Sequence, residues 1–185
     1  IALIVPHAGL IYSGPIAANA YAQIANLRGR ISKVVLLGPT HRVAVRGLAL
    51  PDADDFATPL GAVSLDQAAM RALANLPQVT RSAAAHQFEH SLEVQLPILQ
   101  QVLGEFQLLP LAVGDATAEE VAEVLERVWG GDETLIVISS DLSHFLPDTL
   151  ARQIDRKTAD TIAAMSPHLN HEQACGATPV NGLLL

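Results

Sequence analysis

The chain has 185 residues, a formal net charge of −8 and a hydrophobic fraction of 50%, which is typical of a single globular domain with a sizeable core. It has no cluster of Lys and Arg and no apolar run near the ~20 residues of a membrane span, which argues against nucleic-acid binding and membrane insertion. The single cysteine rules out an intrachain disulfide and fits a reducing compartment, so we expect a cytoplasmic protein.

The first part of the chain alternates apolar runs with alanine-rich or polar segments. A buried strand is predicted over Ile1–Val5, because five apolar residues end at a proline. A helix is predicted over Pro15–Leu27, with proline in its first turn. Ile31–Leu37 predicts a second buried strand and Gly47–Leu50 a short one. A helix over Leu65–Leu76 follows a turn-rich, acidic stretch.

The second part continues the same alternation. Leucines recur at spacings of three and four over Glu89–Leu103 and predict an amphipathic helix, which we expect to kink or restart at Pro97. Phe106–Val113 predicts a third long strand. Thr117–Val128 predicts a helix that begins with a capping box, and Leu135–Ser139 predicts the next buried strand.

The remaining residues are predicted to be mostly helical, over Leu146–Met165 and again over His168–Ala174. Strands thus alternate with helices along the chain, which indicates an α/β fold with a buried sheet and helices on both faces. We expect residues 1–185 to form a single domain truncated at both ends, because the chain starts without Met inside a strand and stops in an apolar run.

Three of the buried strands are each followed by a loop that carries a histidine: His7, His41 and His144. Ligands of open α/β sheets bind beyond the carboxyl ends of the strands, so neighbouring parallel strands would bring these imidazoles into one pocket. Asp141 lies three residues before His144, and the pair could ligate a metal or form an acid/base histidine oriented by a carboxylate. Alternatively, Asp141 caps a helical turn and each histidine is an ordinary loop residue.

Two further polar segments are ambiguous. Glu89, His90 and Glu93 share one face at the start of a helix, and we expect this face to be solvated. Cys175 precedes a predicted helix start, where a thiol tends to have a lowered pKa and to act as a ligand or nucleophile, although a buried structural cysteine is commoner. The chain has no Gly-x-Ser-x-Gly nucleophile motif and no phosphate-binding glycine motif.

Five segments follow one another in the order of a known family: Pro6–Gly14, Leu37–His41, Glu89–Pro97, Ser139–His144 and Cys175–Val180. Together they resemble the Memo-like family, whose bacterial and archaeal members are called AmmeMemoRadiSam system protein B. The resemblance spans nearly the whole chain. It implies the fold of class III extradiol dioxygenases, a three-layer αβα sandwich around a mostly parallel or mixed central sheet.

The resemblance also implies a metal site similar to the non-haem iron site of those dioxygenases. Carried over by motif, the three implied metal ligands are His7, His41 and Cys175. His144, with Asp141 beside it, takes the place of the catalytic acid/base histidine.

Pocket-lining, cofactor-binding roles are implied for Tyr12 and His90. A thiolate in place of the dioxygenase carboxylate makes the site softer, so iron(II) and copper are both expected cofactors, and dioxygenase activity does not follow from the fold. We expect redox or oxygen chemistry on a small molecule.

Two alternatives stay open: a non-catalytic module that binds a peptide or protein in the same pocket, and a metal-assisted hydrolase. The family name implies functional association with radical-SAM and AMMECR-type proteins.

Overall fold

The strands of the protein form one large and one small sheet. The computed structural model describes residues 1–185. In chain order its strands are β1 (Ala2–Val5), β2 (Lys33–Pro39), β3 (Leu48–Leu50), β4 (Asp55–Thr58), β5 (Gly61–Ser64), β6 (Val79–Arg81), β7 (Gln107–Val113) and β8 (Thr134–Ser139). Six strands form the central sheet in the order β1-β8-β2-β7-β3-β6, in which only the β3–β7 pair is antiparallel. The remaining two form an antiparallel hairpin.

Helices cover both faces of this mixed sheet. They are α1 (Leu10–Ala22), α2 (Gln67–Leu73), α3 (Ala83–Gln87), α4 (His90–Glu93), α5 (Leu96–Leu103), α6 (Ala118–Val128), α7 (Asp148–Ala163) and α8 (Ala177–Leu184). Helices α1, α4 and α5 pack together on one side, and α2, α6 and α8 pack together on the other. The predicted α/β sandwich is therefore confirmed. No helix is both long and apolar enough to cross a membrane.

The register of three parallel strands positions the site. Strand β8 lies between β1 and β2, with Val5 opposite Ser139 and Leu37 opposite Ile138. Strands β2 and β8 are rich in β-branched and aliphatic residues that are buried on both faces, as expected for parallel strands covered by helices, whereas in the edge strand β1 only Val5 is fully buried. Their carboxyl ends consequently meet at one edge of the sheet, and the loops that follow them share one surface.

The first helix begins earlier than the sequence predicts. Gly9, with a φ of 102°, makes the turn into a helix that starts at Leu10. Pro15 therefore lies inside the helix instead of in its first turn, and it cannot donate a hydrogen bond to the Ile11 carbonyl. Ile11 is 84% exposed, so water can bind that carbonyl and limit the cost of the proline.

The interruption predicted within the helical segment Glu89–Leu103 is confirmed. Helix α4 ends at Glu93, and α5 begins at Leu96 with Pro97 in its first turn. A backbone N–H at that position would have no acceptor within the helix, so proline costs no hydrogen bond there. The break leaves Gln95 between the two helices, and its side chain does not cap either of them.

The predicted helix over His168–Ala174 is wrong. The Asn170 side chain accepts hydrogen bonds from the backbone N–H groups of Glu172 and Gln173, which stabilises a turn in place of a helix. The chain becomes helical only later, over Ala177–Leu184.

Four short elements that lie between β3 and α4 in the chain were not predicted. The hairpin of β4 and β5, strand β6 and helix α3 each have three to five residues. Such short segments do not complete a periodic apolar pattern, so only tertiary contacts define them.

Gly47→Ala tests a close backbone approach at the start of β3. Gly47 has a φ of 75°, and a Cβ atom there would collide with the Gln78 carbonyl group, whereas Gly29 has a φ of 77° and nothing within 4 Å of its Cβ position. We expect Gly29→Ala to lower the free energy of unfolding by about 1 kcal/mol through backbone strain alone. Gly47→Ala should lower it by roughly 1–3 kcal/mol more, because the neighbouring backbone must move. Urea unfolding followed by circular dichroism measures both losses, and equal losses would contradict the close approach.

Candidate metal centre

Two of the three strand-end histidines predicted to converge, His7 and His41, lie side by side in the structure. His7 follows β1, His41 follows β2 and Asp141 follows β8. The ring centroids of His7 and His41 are 5.3 Å apart, and Nε2 of His7 lies 3.8 Å from Oδ2 of Asp141. Residues far apart in sequence therefore come together at the carboxyl edge of the sheet, beside a pocket lined by His41 and Cys175.

His7 is the most buried of these side chains, with 1% of its surface exposed. Its Nδ1 atom lies 2.9 Å from Oγ of Ser139, on the adjacent strand β8. Its Nε2 atom lies 3.4 Å from Sγ of Cys175. Its backbone N–H donates a hydrogen bond of 2.8 Å to Oδ1 of Asp141. Both the backbone and the ring of His7 are thus fixed, and Nε2 faces the pocket.

His41 is held by a buried carboxylate. Its ring Nδ1 atom donates to Oε1 of Glu89 at 2.8 Å, and its backbone N–H donates to the other carboxylate oxygen. Glu89 is also the N-cap of α4, where it accepts a hydrogen bond from the N–H of Ser91. A carboxylate that binds Nδ1 of a histidine leaves Nε2 available as a ligand atom, an arrangement common around protein metal sites.

The expectation of a solvated polar face is wrong for Glu89. Only 4% of Glu89 is exposed, because its carboxylate turns from the start of α4 towards the loop after β2. Helical periodicity identifies the polar face, but it does not reveal that a strand-end histidine covers it. The signal that could have found it is the Glu-His pair inside a segment that matches a family motif.

Two pKa shifts of opposite sign follow from these contacts. Hydrogen bonds with Cys175 and with Glu89 raise the pKa of His41 to about 9. Burial acts to raise the pKa of Glu89, but hydrogen bonds from His41 and from the N–H of Ser91 outweigh it and lower the pKa to about 2. In the metal-free protein at neutral pH, His41 and Glu89 therefore form an ion pair.

Cys175 enters the pocket from the far end of the chain, just before α8. Its Sγ atom accepts a hydrogen bond of 3.3 Å from the N–H of Asp141, and its own N–H donates to the Asp141 carbonyl. Burial acts to raise the pKa of Cys175, but its interactions with the imidazoles of His41 and His7 lower it to about 6. The thiol is therefore mostly ionised at neutral pH, which is the form that binds metals.

Asp141 does not cap a helical turn of its own. Its Oδ1 atom accepts hydrogen bonds from the N–H groups of His7 and Ala8, on the neighbouring loop. Its Oδ2 atom lies 4.0 Å from Nε2 of His144, whose side chain is 42% exposed. His144 therefore lies at the solvent side of the pocket, beside Asp141.

The two residues predicted to line the pocket differ in position. His90 stacks on His41 with ring centroids 4.9 Å apart, and it contacts His7 edge-on. Burial lowers the pKa of His90, which favours its neutral form. Tyr12 lies on α1 with 77% of its surface exposed, and its hydroxyl forms no hydrogen bond. The structure thus brings His90 to the imidazole cluster but does not bring Tyr12 into it.

The donor atoms form two groups that share His7. One group contains His7, His41 and His90, and the other contains His7, Asp141 and Cys175; within each group the ligand atoms lie within 4.8 Å of one another. The ligand set implied by the family resemblance takes members from both groups. Imidazole nitrogen and thiolate sulfur are ligands that suit zinc, copper and iron, so the residues fit a transition metal ion.

Comparison with known proteins relates the whole chain to one family. The model of the family described as "Memo-like protein" matches residues 1–180. A "MEMO1 family protein" of Aquifex aeolicus is 39% identical over 158 residues, which cover 83% of this chain and 58% of the relative. A "MEMO1 family protein" of Methanococcoides burtonii is 35% identical over 197 residues, which cover 100% of this chain and 72% of the relative. The chain thus spans under two thirds of the length of the first relative.

A solved structure supports the fold alone. The crystal structure of an uncharacterized protein from Escherichia coli superposes with a TM-score of 0.61 at 17% sequence identity. The superposition covers 99% of this chain and 86% of the other. At this identity the similarity extends to the sheet and helix arrangement and gives no information about activity.

The pKa of Cys175 can be measured directly, because the chain has only one cysteine. We expect the rate of iodoacetamide alkylation of the metal-free protein to rise with a midpoint near pH 6, since the thiolate forms above that pH. His41→Ala removes the imidazole that contributes most to the lowered pKa of Cys175 and should move the midpoint up towards the ordinary value of 9.0. His168→Ala, at an exposed site away from the pocket, serves as the control. A midpoint that His41→Ala leaves unchanged would contradict the proposed contact.

Proposed function

This chain belongs to the Memo-like protein family, and we propose that its strand-end pocket binds one iron or copper ion through His7, His41 and Cys175. The observation that carries the proposal is the convergence of two oriented imidazoles and an ionised thiol at the carboxyl edge of the sheet. The lone cysteine fits a reducing compartment, and the proposal includes a cytoplasmic location.

The pocket is suited to a metal because its groups are prepared for ligation. The ring nitrogens of His7 and His41 that do not face the pocket are already engaged, by Ser139 and by Glu89. Little rotational freedom is lost when such rings bind an ion. Because the pKa of Cys175 is about 6, most of the thiol is already ionised at neutral pH and can bind a metal without first releasing a proton.

The donor set favours a soft or borderline transition metal. A thiolate with two imidazoles suits copper, zinc or iron better than magnesium or calcium, which prefer oxygen ligands. When bound, iron or copper would supply redox chemistry or polarise a substrate oxygen. The proposed reaction class is accordingly redox or oxygen chemistry on a small molecule.

Asp141 and His144 are proposed to move a proton. The side chain of His144 is partly exposed, so it can contact a substrate and exchange a proton with solvent. Asp141 lies 4.0 Å from Nε2 of His144 and is itself fixed by two backbone N–H groups, so it can orient the imidazole.

Metal analysis of protein purified without chelators tests the ligand assignment. We expect close to one iron or copper ion per chain, and loss of that ion in His7→Ala, His41→Ala and Cys175→Ser. Cobalt substitution adds a specific readout, since only a bound thiolate gives a sulfur-to-cobalt charge-transfer band, which Cys175→Ser should abolish. Stoichiometric metal that survives both His7→Ala and Cys175→Ser would refute the assignment.

His144→Ala separates the proposed proton carrier from the proposed ligands. Because His144 is assigned no ligand role, the variant should keep the metal content and the cobalt spectrum of the unmodified protein. His168→Ala is the matched control for loss of an imidazole outside the pocket. Loss of the metal in His144→Ala alone would show that His144 is a ligand and overturn its assigned role.

A further inference from the structure

Behind His7 lies a line of buried polar side chains, none of which is a proposed metal ligand. Tyr21 of α1, Gln95 in the break between α4 and α5, and Ser139 of β8 are each completely buried. We propose that Ser139, oriented by Gln95 and Tyr21, is the positioning residue that keeps the ring proton of His7 on Nδ1 and so directs the Nε2 lone pair into the pocket. The inference rests on the proposed function in that it assigns Nε2 as the ligand atom.

The orientation of the Gln95 amide is determined by two neighbours. Its Nε2 atom lies 2.9 Å from the carbonyl oxygen of Pro6, which can only accept a hydrogen bond. Its Oε1 atom accepts a hydrogen bond of 3.0 Å from the hydroxyl of Tyr21. Burial raises the pKa of Tyr21, so the phenol keeps the proton that it donates. The second N–H of the Gln95 amide therefore points to Oγ of Ser139, at 2.8 Å.

The hydrogen-bonding capacity of Ser139 then leaves one choice for His7. A hydroxyl has one proton to donate and two lone pairs to accept with. The proton goes to the carbonyl oxygen of Ser91, which can only accept, and one lone pair accepts from Gln95. The other lone pair faces Nδ1 of His7 at 2.9 Å, so Nδ1 must carry a proton and donate it.

The opposite tautomer would be costly in this environment. With the proton on Nε2, the lone pair of Nδ1 would face a lone pair of Ser139 inside the core, and two buried polar groups would lose a hydrogen bond. This restraint is needed because Cys175 lies 3.4 Å from Nε2 on the other side of the ring, and its thiolate attracts a proton to that nitrogen. Ser139 holds the Nδ1 proton against this attraction, so Nε2 of His7 keeps a lone pair that a metal can bind.

The position of Gln95 explains why its side chain can reach the sheet. If one continuous helix ran through Glu93 and Leu96, Gln95 would be one more residue on the surface of that helix. The restart at Pro97 instead leaves the Gln95 side chain without a capping role, and it spans from α1 to Pro6 and Ser139.

The experiment measures the His7 tautomer by ¹⁵N–¹H correlation spectroscopy on metal-free, ¹⁵N-histidine-labelled protein at mildly alkaline pH. The signals of His7 are identified by their loss in His7→Gln. We expect Nδ1 to be protonated in the unmodified protein. In Ser139→Ala we expect the proton to move to Nε2, beside the thiolate, and the affinity for cobalt(II) to fall on the order of tenfold. Thr134→Val removes another buried hydroxyl at the opposite end of β8 and should change neither readout.

The outcomes separate this inference from the proposed function. An unprotonated Nδ1 in the unmodified protein, or an Nδ1 that stays protonated in Ser139→Ala, would overturn the role of Ser139 even if the protein binds metal. A protonated Nδ1 that shifts in Ser139→Ala, in a protein that takes up no metal, would support the tautomer assignment and contradict the metal site. If Ser139→Ala does not fold, the spectrum of the unmodified protein still decides whether Nδ1 carries the proton.

Discussion

The parallel pairing of β1, β8 and β2 is the constraint on which the pocket depends. In this arrangement Val5 lies opposite Ser139, and Leu37 lies opposite Ile138, so three loops leave the sheet at the same edge. A shift of one residue in the register would turn Ser139 to the other face of the sheet and remove it from His7.

The two central imidazoles are oriented in the same way by chemically different partners. His41 donates from Nδ1 to the carboxylate of Glu89, a charged acceptor that raises the basicity of the ring. His7 donates from Nδ1 to the neutral hydroxyl of Ser139. The two rings therefore differ in electron donation even though both present Nε2. Such a difference makes the two positions unequal in how strongly each would bind an ion or hold a proton.

Much of the fold, and part of the pocket, could be predicted from the sequence. The buried strands are evident because short apolar runs end at Pro, Gly or polar residues, and the restart at Pro97 follows from the missing N–H of proline. The buried role of Glu89 could not be predicted, because it depends on the position of a strand end that is distant in sequence. The helix predicted over His168–Ala174 was wrong because the Asn170 side chain competes locally for backbone N–H groups, which apolar periodicity does not report.

The contact between His7 and Cys175 closes a loop of 168 residues, almost the full length of the chain. While the chain is being synthesised, His7 and His41 leave the ribosome long before the thiol does, and Asp141 leaves it 34 residues earlier. A partly made chain can therefore present imidazoles and a carboxylate, but it cannot present sulfur to an ion. Soft metal ions would be captured only after the segment that carries Cys175 has docked beside β1 and β8, so metal capture would report that these distant parts of the chain have come together.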